Sequence, residues 1–211
     1  MPVDDEQLQL RKQLENRGIT DVRVLDAIQN TRRDLFVPAD MRQYAYADDA
    51  LPIGHAQTIS QPYVVALMTQ EALLRGDETV LEVGTGSGYQ AAVLSQLCRR
   101  VVTIERIAEL AEPARRHLEE QGYANITFHV GDGTLGCPEH APYDAILVTA
   151  AAPDIPQPLY EQLADGGRLI IPVGNEDFQE LQRITRMEPG PRIDRLCGCR
   201  FVKLIGAAGW P

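Results

Sequence analysis

Between residues 80 and 89 the chain reads Val-Leu-Glu-Val-Gly-Thr-Gly-Ser-Gly-Tyr. Four residues of a buried strand run into a turn with three alternating glycines, and a helical pattern follows from Tyr89 to Cys98. Glycine has no Cβ and tolerates positive φ, so such a strand-to-helix turn lets a ligand lie against bare backbone. The next apolar run, Val101-Val102-Thr103-Ile104, ends on Glu105, where an acid that holds a ribose belongs. The turn and the acid together point to a ligand that contains adenosine.

Spacing separates the possible users of this turn. The dinucleotide fingerprint needs a third small residue, but counting from Gly84 that position falls on Tyr89. Counting from Gly86, Gly88 and Ala91 fit the pattern, but the first glycine then comes too late for the tight turn at the strand end. A phosphate-binding loop fails as well, because no Lys-Ser/Thr pair follows. What remains is Glu82-x-Gly84-x-Gly86-x-Gly88, which resembles motif I of Rossmann-like S-adenosylmethionine-dependent methyltransferases. A donor without phosphate needs no basic residue at the turn. Glu82, Glu105 and Asp132 suit a ligand that carries a sulfonium and an amino group.

The bulk properties agree. The 211 residues are enough for a single domain, and 44% hydrophobic with 24% charged residues is ordinary for a globular chain. A net charge of −10 argues against a nucleic-acid partner, which needs a basic surface. No apolar run approaches membrane-spanning length, and Met1 to Leu10 is too acidic for a signal peptide, so the expected location is the cytoplasm. Cys137, His140, Cys197 and Cys199 offer four zinc-type ligands, but the Cys197-x-Cys199 pair is tighter than zinc spacing. Cys98, with Ala91 and Leu94, belongs to a helical core face. The thiols are therefore read as reduced and structural, and no metal is expected.

Two helical patterns fill residues 4–30, with Thr20 as N-cap of the second. Residues 33–60 lack periodicity and form a long ordered loop of the kind that carries function. A helix over 61–74 follows, with Pro62 in its first turn. Strands at 79–83, 101–105, 126–130, 144–149 and 168–173 alternate with helices near 89–98, 107–121 and 156–164. Runs at 180–187 and 200–205 complete the sheet. The fold class is α/β: a doubly wound, mostly parallel sheet of Rossmann-like type with an N-terminal helical extension. One domain spans 1–211, divided into N-terminal helices and loop (1–60) and a core with its C-terminal strands (61–211).

In such a sheet the ligand lies at the carboxyl ends of the strands. Glu105 is expected to accept both ribose hydroxyls, and Asp132, in Gly131-Asp132-Gly133, to accept from the adenine amine. The fourth strand end, Thr149-Ala150-Ala151-Ala152-Pro153, lacks the N/D-P-P-Y/F turn of base-amine methyltransferases. Cys137-Pro138 has the wrong order and place for cytosine C5 chemistry. Nucleic-acid bases are thus poor acceptors.

Leu51-Pro52-Ile53-Gly54-His55-Ala56-Gln57-Thr58-Ile59-Ser60-Gln61-Pro62-Tyr63 identifies the family. With the glycine turn, Gly131-Asp132-Gly133, Ala150 to Pro153 and Arg200-Phe201-Val202, it closely resembles protein-L-isoaspartate O-methyltransferases over nearly the whole chain. The resemblance implies S-adenosylmethionine as cofactor, isoaspartyl peptides and proteins as partners, and a monomer. It implies Ser60 as the active-site serine, expected to orient the acceptor carboxylate. Ser60 is also placed to cap the helix that starts at Gln61. The cofactor contacts expected are Gln57, Thr58, Ile59, Ser60, Gly84, Thr85, Gly86, Gly88, Glu105, Arg106, Asp132, Gly133 and Thr149. His55 is the other polar residue near this loop and reads as structural or solvated. Lys203, where the family often has proline, and Cys197-Gly198-Cys199 depart from the family pattern and bear on peptide preference. Two alternatives stay open: a different carboxylate acceptor, and a cofactor-binding relative without turnover.

Overall fold

The computed structural model describes residues 5–211, so the first residue of the N-terminal helical pattern and residues 1–4 of the acidic stretch lie outside the described part. Helices α1 (Asp5–Asn16) and α2 (Val22–Asn30) open the chain. Asp21, not Thr20, caps α2, its carboxylate accepting from Arg23 N at 2.9 Å. The adjacent acid is better placed, while Thr20 N donates to Gln70 Oε1.

The aperiodic stretch that follows is ordered in three pieces. Two 3-10 turns, Arg33–Phe36 and Ala39–Tyr44, lead to a hairpin of β1 (Leu51–Gly54) and β2 (Gln57–Ile59). His55 and Ala56 make its corner at φ 50° and 56°. Arg33 is fully buried and donates to the carbonyls of Ala45 and Asp49, which pins this segment to the core. Helix α3 (Pro62–Glu71) begins one residue later than expected, and Ser60 does not cap it. Asp48 does: its Oδ1 accepts from Tyr63 N at 2.8 Å, its other oxygen pairs with Arg17, and Arg17 stacks on the Tyr63 ring. The cap comes from 15 residues upstream, beyond the reach of a local motif.

The sheet contains β3 (Thr79–Val83), β4 (Arg100–Glu105), β5 (Ile126–Val130), β6 (Tyr143–Val148), β7 (Leu163–Gly174), β8 (Gln179–Thr185) and β9 (Arg192–Cys199), in the order β5-β4-β3-β6-β7-β8-β9. The first five are parallel, and β8 and β9 add on antiparallel. Helices α4 (Tyr89–Ser95), α5 (Ala108–Glu120) and α6 (Gln157–Glu161) make the connections. Alternate residues face opposite cores. Val80, Val101, Ala145 and Leu147 pack with α1 to α4, while Leu81, Val102, Ile146 and Val148 pack with Leu159 of α6.

Residues 200–205 form no strand of the sheet; the last strand is β9 instead. The apolar residues of 202–205 cover a cavity, whereas β9 is a half-exposed edge strand whose polar sequence hides it. Gly88 opens α4 at φ 89°, and a Cβ there would stand 2.8 Å from Leu118 Cδ1 of α5. Its missing side chain thus serves helix packing. Gly88→Ala is expected to lower stability by about 1–3 kcal/mol, through strain and overpacking, as a reduced urea midpoint. An unchanged midpoint would show that the α4–α5 contact yields.

Candidate active site

After β3 the chain moves outward to β4 and β5, then returns to β6 on the other side of β3. Connections leave in opposite directions there, opening a crevice at the carboxyl ends of the strands. Glu105 ends β4 with 6% of its surface exposed. Its Oε2 accepts from Gly86 N at 2.9 Å and its Oε1 from Ile107 N at 3.0 Å. One carboxylate thus fixes the glycine turn to the start of the next connection. Each oxygen keeps a further lone pair, so a hydroxyl pair can still bind.

Two more contacts shape the turn. Thr149 Oγ1 donates toward Gly84 O at 2.8 Å, and a Cβ on Gly84 would lie 2.3 Å from that hydroxyl. Gly84 is therefore required by the protein itself, at φ 97°. Thr85 Oγ1 lies 2.6 Å from Thr103 Oγ1, and Thr103 donates to Glu82 Oε2 at 2.5 Å. Hydroxyls link the cavity wall to an acid inside the sheet.

Glu82 departs from expectation. It is fully buried and does not line the cavity, because it faces Thr103 across β3 and β4. Burial pushes its carboxyl up to about 8, Thr103 opposes that shift, and the charge of Glu105 adds to it. Glu82 is therefore neutral at neutral pH, and its second oxygen has no partner.

A cavity lies over the turn. Of the residues predicted, Gln57, Thr58, Ile59, Ser60, Gly84, Thr85, Gly86, Glu105, Arg106, Gly133 and Thr149 line it. Gly88 and Asp132 do not. Both Asp132 oxygens are turned to protein: Oδ1 accepts from Thr134 N and Oγ1, and Oδ2 accepts from Ala207 N at 2.7 Å. The tail that places Ala207 there is long-range and carries no local signal. The same tail contributes Val202 to Ile205 to the cavity, held by a bridge between Ala151 and Lys203. The sequence ties Lys203 to peptide preference and not to this cavity, and it gives no role to Leu204, Ile205, Ser87 or Gln90, which line the same space.

A second, outward groove shares Thr58, Ser60, Thr149 and Val202 with the cavity and continues past Arg17, Tyr63, Cys197, Cys199, Arg200 and Phe201. Ser60 sits at the junction, and its hydroxyl has no hydrogen-bond partner among the described residues. His55 stands exposed in the hairpin corner. Cys197 and Cys199 lie in this groove and are not brought to Cys137 and His140, so the four-ligand set considered from spacing does not form. All four cysteines are free, and Cys98 is buried in the core as expected.

The sheet order, the glycine turn and the acid closing the second strand define a Rossmann-like S-adenosylmethionine-dependent methyltransferase. The family model for protein-L-isoaspartate(D-aspartate) O-methyltransferase matches residues 5–209. A protein-L-isoaspartate O-methyltransferase from Dictyoglomus turgidum is 55% identical, with 93% of this chain and 90% of that one covered. One from Geobacter metallireducens is also 55% identical, covering 94% and 92%. A solved protein-L-isoaspartate O-methyltransferase superposes with a TM-score of 0.86 at 31% identity, covering 96% of this chain and 67% of that one. A Plasmodium falciparum structure of the same description, in complex with S-adenosyl-L-homocysteine, gives 0.82 at 26% identity, covering 96% and 99%. The chain belongs to the protein-L-isoaspartate (D-aspartate) O-methyltransferase family.

The buried Glu82 predicts a pH dependence. Its folded value lies above its ordinary 4.5, so the unfolded chain releases the proton first as pH rises. Stability is fully present below about 4.5, falls as pH rises toward about 8, and levels off above that. Glu82→Gln, which mimics the neutral acid, is expected to flatten this slope and to exceed wild type at pH 7 by roughly 1–3 kcal/mol. Urea denaturation at pH 5, 7 and 8.5 checks it; parallel profiles would show that Glu82 is ionised in the fold.

Proposed function

We propose that the cavity and the adjoining groove are the donor and acceptor sites of one reaction, methylation of the free α-carboxylate of L-isoaspartyl residues in damaged proteins and peptides. The observation that carries this reading is Ser60, which lines both spaces and whose hydroxyl has no partner among the described residues. The residues present fit the donor: the glycine turn bares its backbone, Glu105 retains acceptor capacity, and Lys203, which lines the same cavity, is paired with Glu176. Gln57 to Ser60, Gly84 to Gly86, Glu105, Arg106, Gly133 and Thr149 would hold S-adenosylmethionine, with Gly88 and Asp132 supporting them from behind. When bound, that molecule supplies an electrophilic methyl group on a sulfonium centre.

The chain itself has little chemistry to perform. An α-carboxylate is ionised at neutral pH, so no general base is needed. Ser60 Oγ donates a hydrogen bond that orients the carboxylate, and the Val202 to Ile205 tail and residues 57–60, which wall the cavity, would limit water at the junction once both sites are filled. Low water favours a step in which opposite charges cancel. Orientation is the larger contribution, since correctly placed reactants reach effective molarities of about 10⁵ M or more. Arg200 brings a positive side chain to the groove on an otherwise acidic protein, suited to a carboxylate-bearing substrate, while Arg17 beside it is paired with Asp48. The methyl ester formed would close to a succinimide and hydrolyse in part to normal aspartate.

Residues 5–60 and 61–211 form one unit in this reading, because α1, α2 and the hairpin share a core cluster with the sheet. Among the described residues no helix is long and apolar enough to cross a membrane, and four free cysteines suit a reducing cytoplasm.

Incubation with methyl-labelled S-adenosylmethionine and matched isoaspartyl and aspartyl peptides tests the reading. Base-labile label on the isoaspartyl peptide alone is expected, and equal label on both would contradict it. Since Ser60 caps nothing, Ser60→Ala is expected to lower kcat by about 10- to 100-fold, the worth of one charge-assisted hydrogen bond, with nearly unchanged stability. Wild-type turnover in that variant would remove Ser60 from the mechanism.

A further inference from the structure

The connection from β5 to β6 gathers four side chains that methyl transfer does not use. His129 lies on β5, Cys137 precedes the second 3-10 turn after it (Pro138–His140), and Glu139 and His140 lie in that turn. One ligand-type atom from each lies within 4.8 Å of the others. Cys137 is 4% exposed and its thiol is free. His129 Nε2 is buried with no hydrogen-bond partner, and His129 Nδ1 stands 3.6 Å from Glu139 Oε1. The two imidazole rings are 5.2 Å apart. Spacing exposed only the Cys137-x-x-His140 half; the fold supplies His129 and places Glu139.

We propose that His129, Cys137, Glu139 and His140 form a binding site for a zinc-class divalent ion. Two imidazoles and a thiolate select late transition ions over magnesium or calcium, which take oxygen ligands. Thiolate and carboxylate together match the charge of a divalent ion, so the loaded site is neutral. Four protein ligands leave no open position, which makes the ion structural and not catalytic. Tetrahedral zinc with bonds of about 2.0–2.3 Å sets its ligand atoms roughly 3.3–3.8 Å apart, so loading draws this cluster inward by about 1 Å. Binding releases the Cys137 thiol proton to solvent. Arg100 is the competing cation, 3.4 Å from His140 Nδ1; loading leaves it on Thr127 Oγ1, which it already contacts at 3.2 Å. The ion would clamp edge strand β5 to a connection whose first turn supplies Gly133 to the cavity wall.

Chelator-treated full-length protein titrated with Co²⁺ tests this. The expected result is one equivalent bound, with visible bands of tetrahedral cobalt and a thiolate charge-transfer band, both removed by added Zn²⁺. Cys137→Ser abolishes the charge-transfer band, and His140→Ala weakens binding by at least about tenfold. Arg100→Gln tightens it severalfold, an effect that mere structural damage would not produce. A Cys197→Ser/Cys199→Ser double variant keeps the band. Circular dichroism on every variant separates loss of ligand from loss of fold. No band in wild type, a band that survives Cys137→Ser in folded protein, or a band lost with Cys197 and Cys199 would overturn the assignment.

Discussion

Glu105 accepts one backbone N–H from the glycine turn and one from the connection after its own strand. Those two bonds fix where β3 and β4 release the chain, and with it the floor of the cavity. The carboxylate is nearly buried, yet two backbone N–H groups reach it and it still lines the cavity, so its burial is tolerated. Glu82, one strand over and fully buried, accepts from Thr103, and burial raises its carboxyl. Two acids a few residues from the same turn thus serve different ends, one tying the turn and the other closed off inside the sheet.

The remaining walls are built from afar. Asp48 caps α3 and, with Arg17, sets the helix that follows Ser60. Asp132 holds the tail through Ala207 and Thr134, and the tail returns Val202 to Ile205 to the cavity. Acids expected at a ligand are therefore partly spent on loops around it. Among the described residues Ser60 is left without a partner, which suits a group that must donate to a substrate.

Much of this was legible in the chain. Strand 79–83 was placed to the residue because Val80, Leu81 and Val83 run straight into a glycine turn that ends the strand. The cavity lining was largely named beforehand, since it clusters at strand ends and in the Gln57 to Ser60 hairpin strand. Strand β9 was missed because Arg192-Ile193-Asp194-Arg195 carries the polarity of an exposed edge. The tail was mistaken for a strand because its apolar residues cover a cavity instead of pairing in the sheet. Cap assignments at Thr20 and Ser60 failed where Asp21 was nearer the helix and Asp48 reached in from upstream. The grouping of Cys137 and His140 with His129 depends on how the β5–β6 connection folds back.

A crystal structure of this chain with S-adenosyl-L-homocysteine tests the site most directly. The ribose hydroxyls are expected on Glu105, the sulfur facing the junction at Ser60, and the Asp132 carboxylate still bonded to Ala207 N. A ligand bound outside the cavity over the glycine turn, or a Ser60 hydroxyl turned away from the junction, would contradict this arrangement.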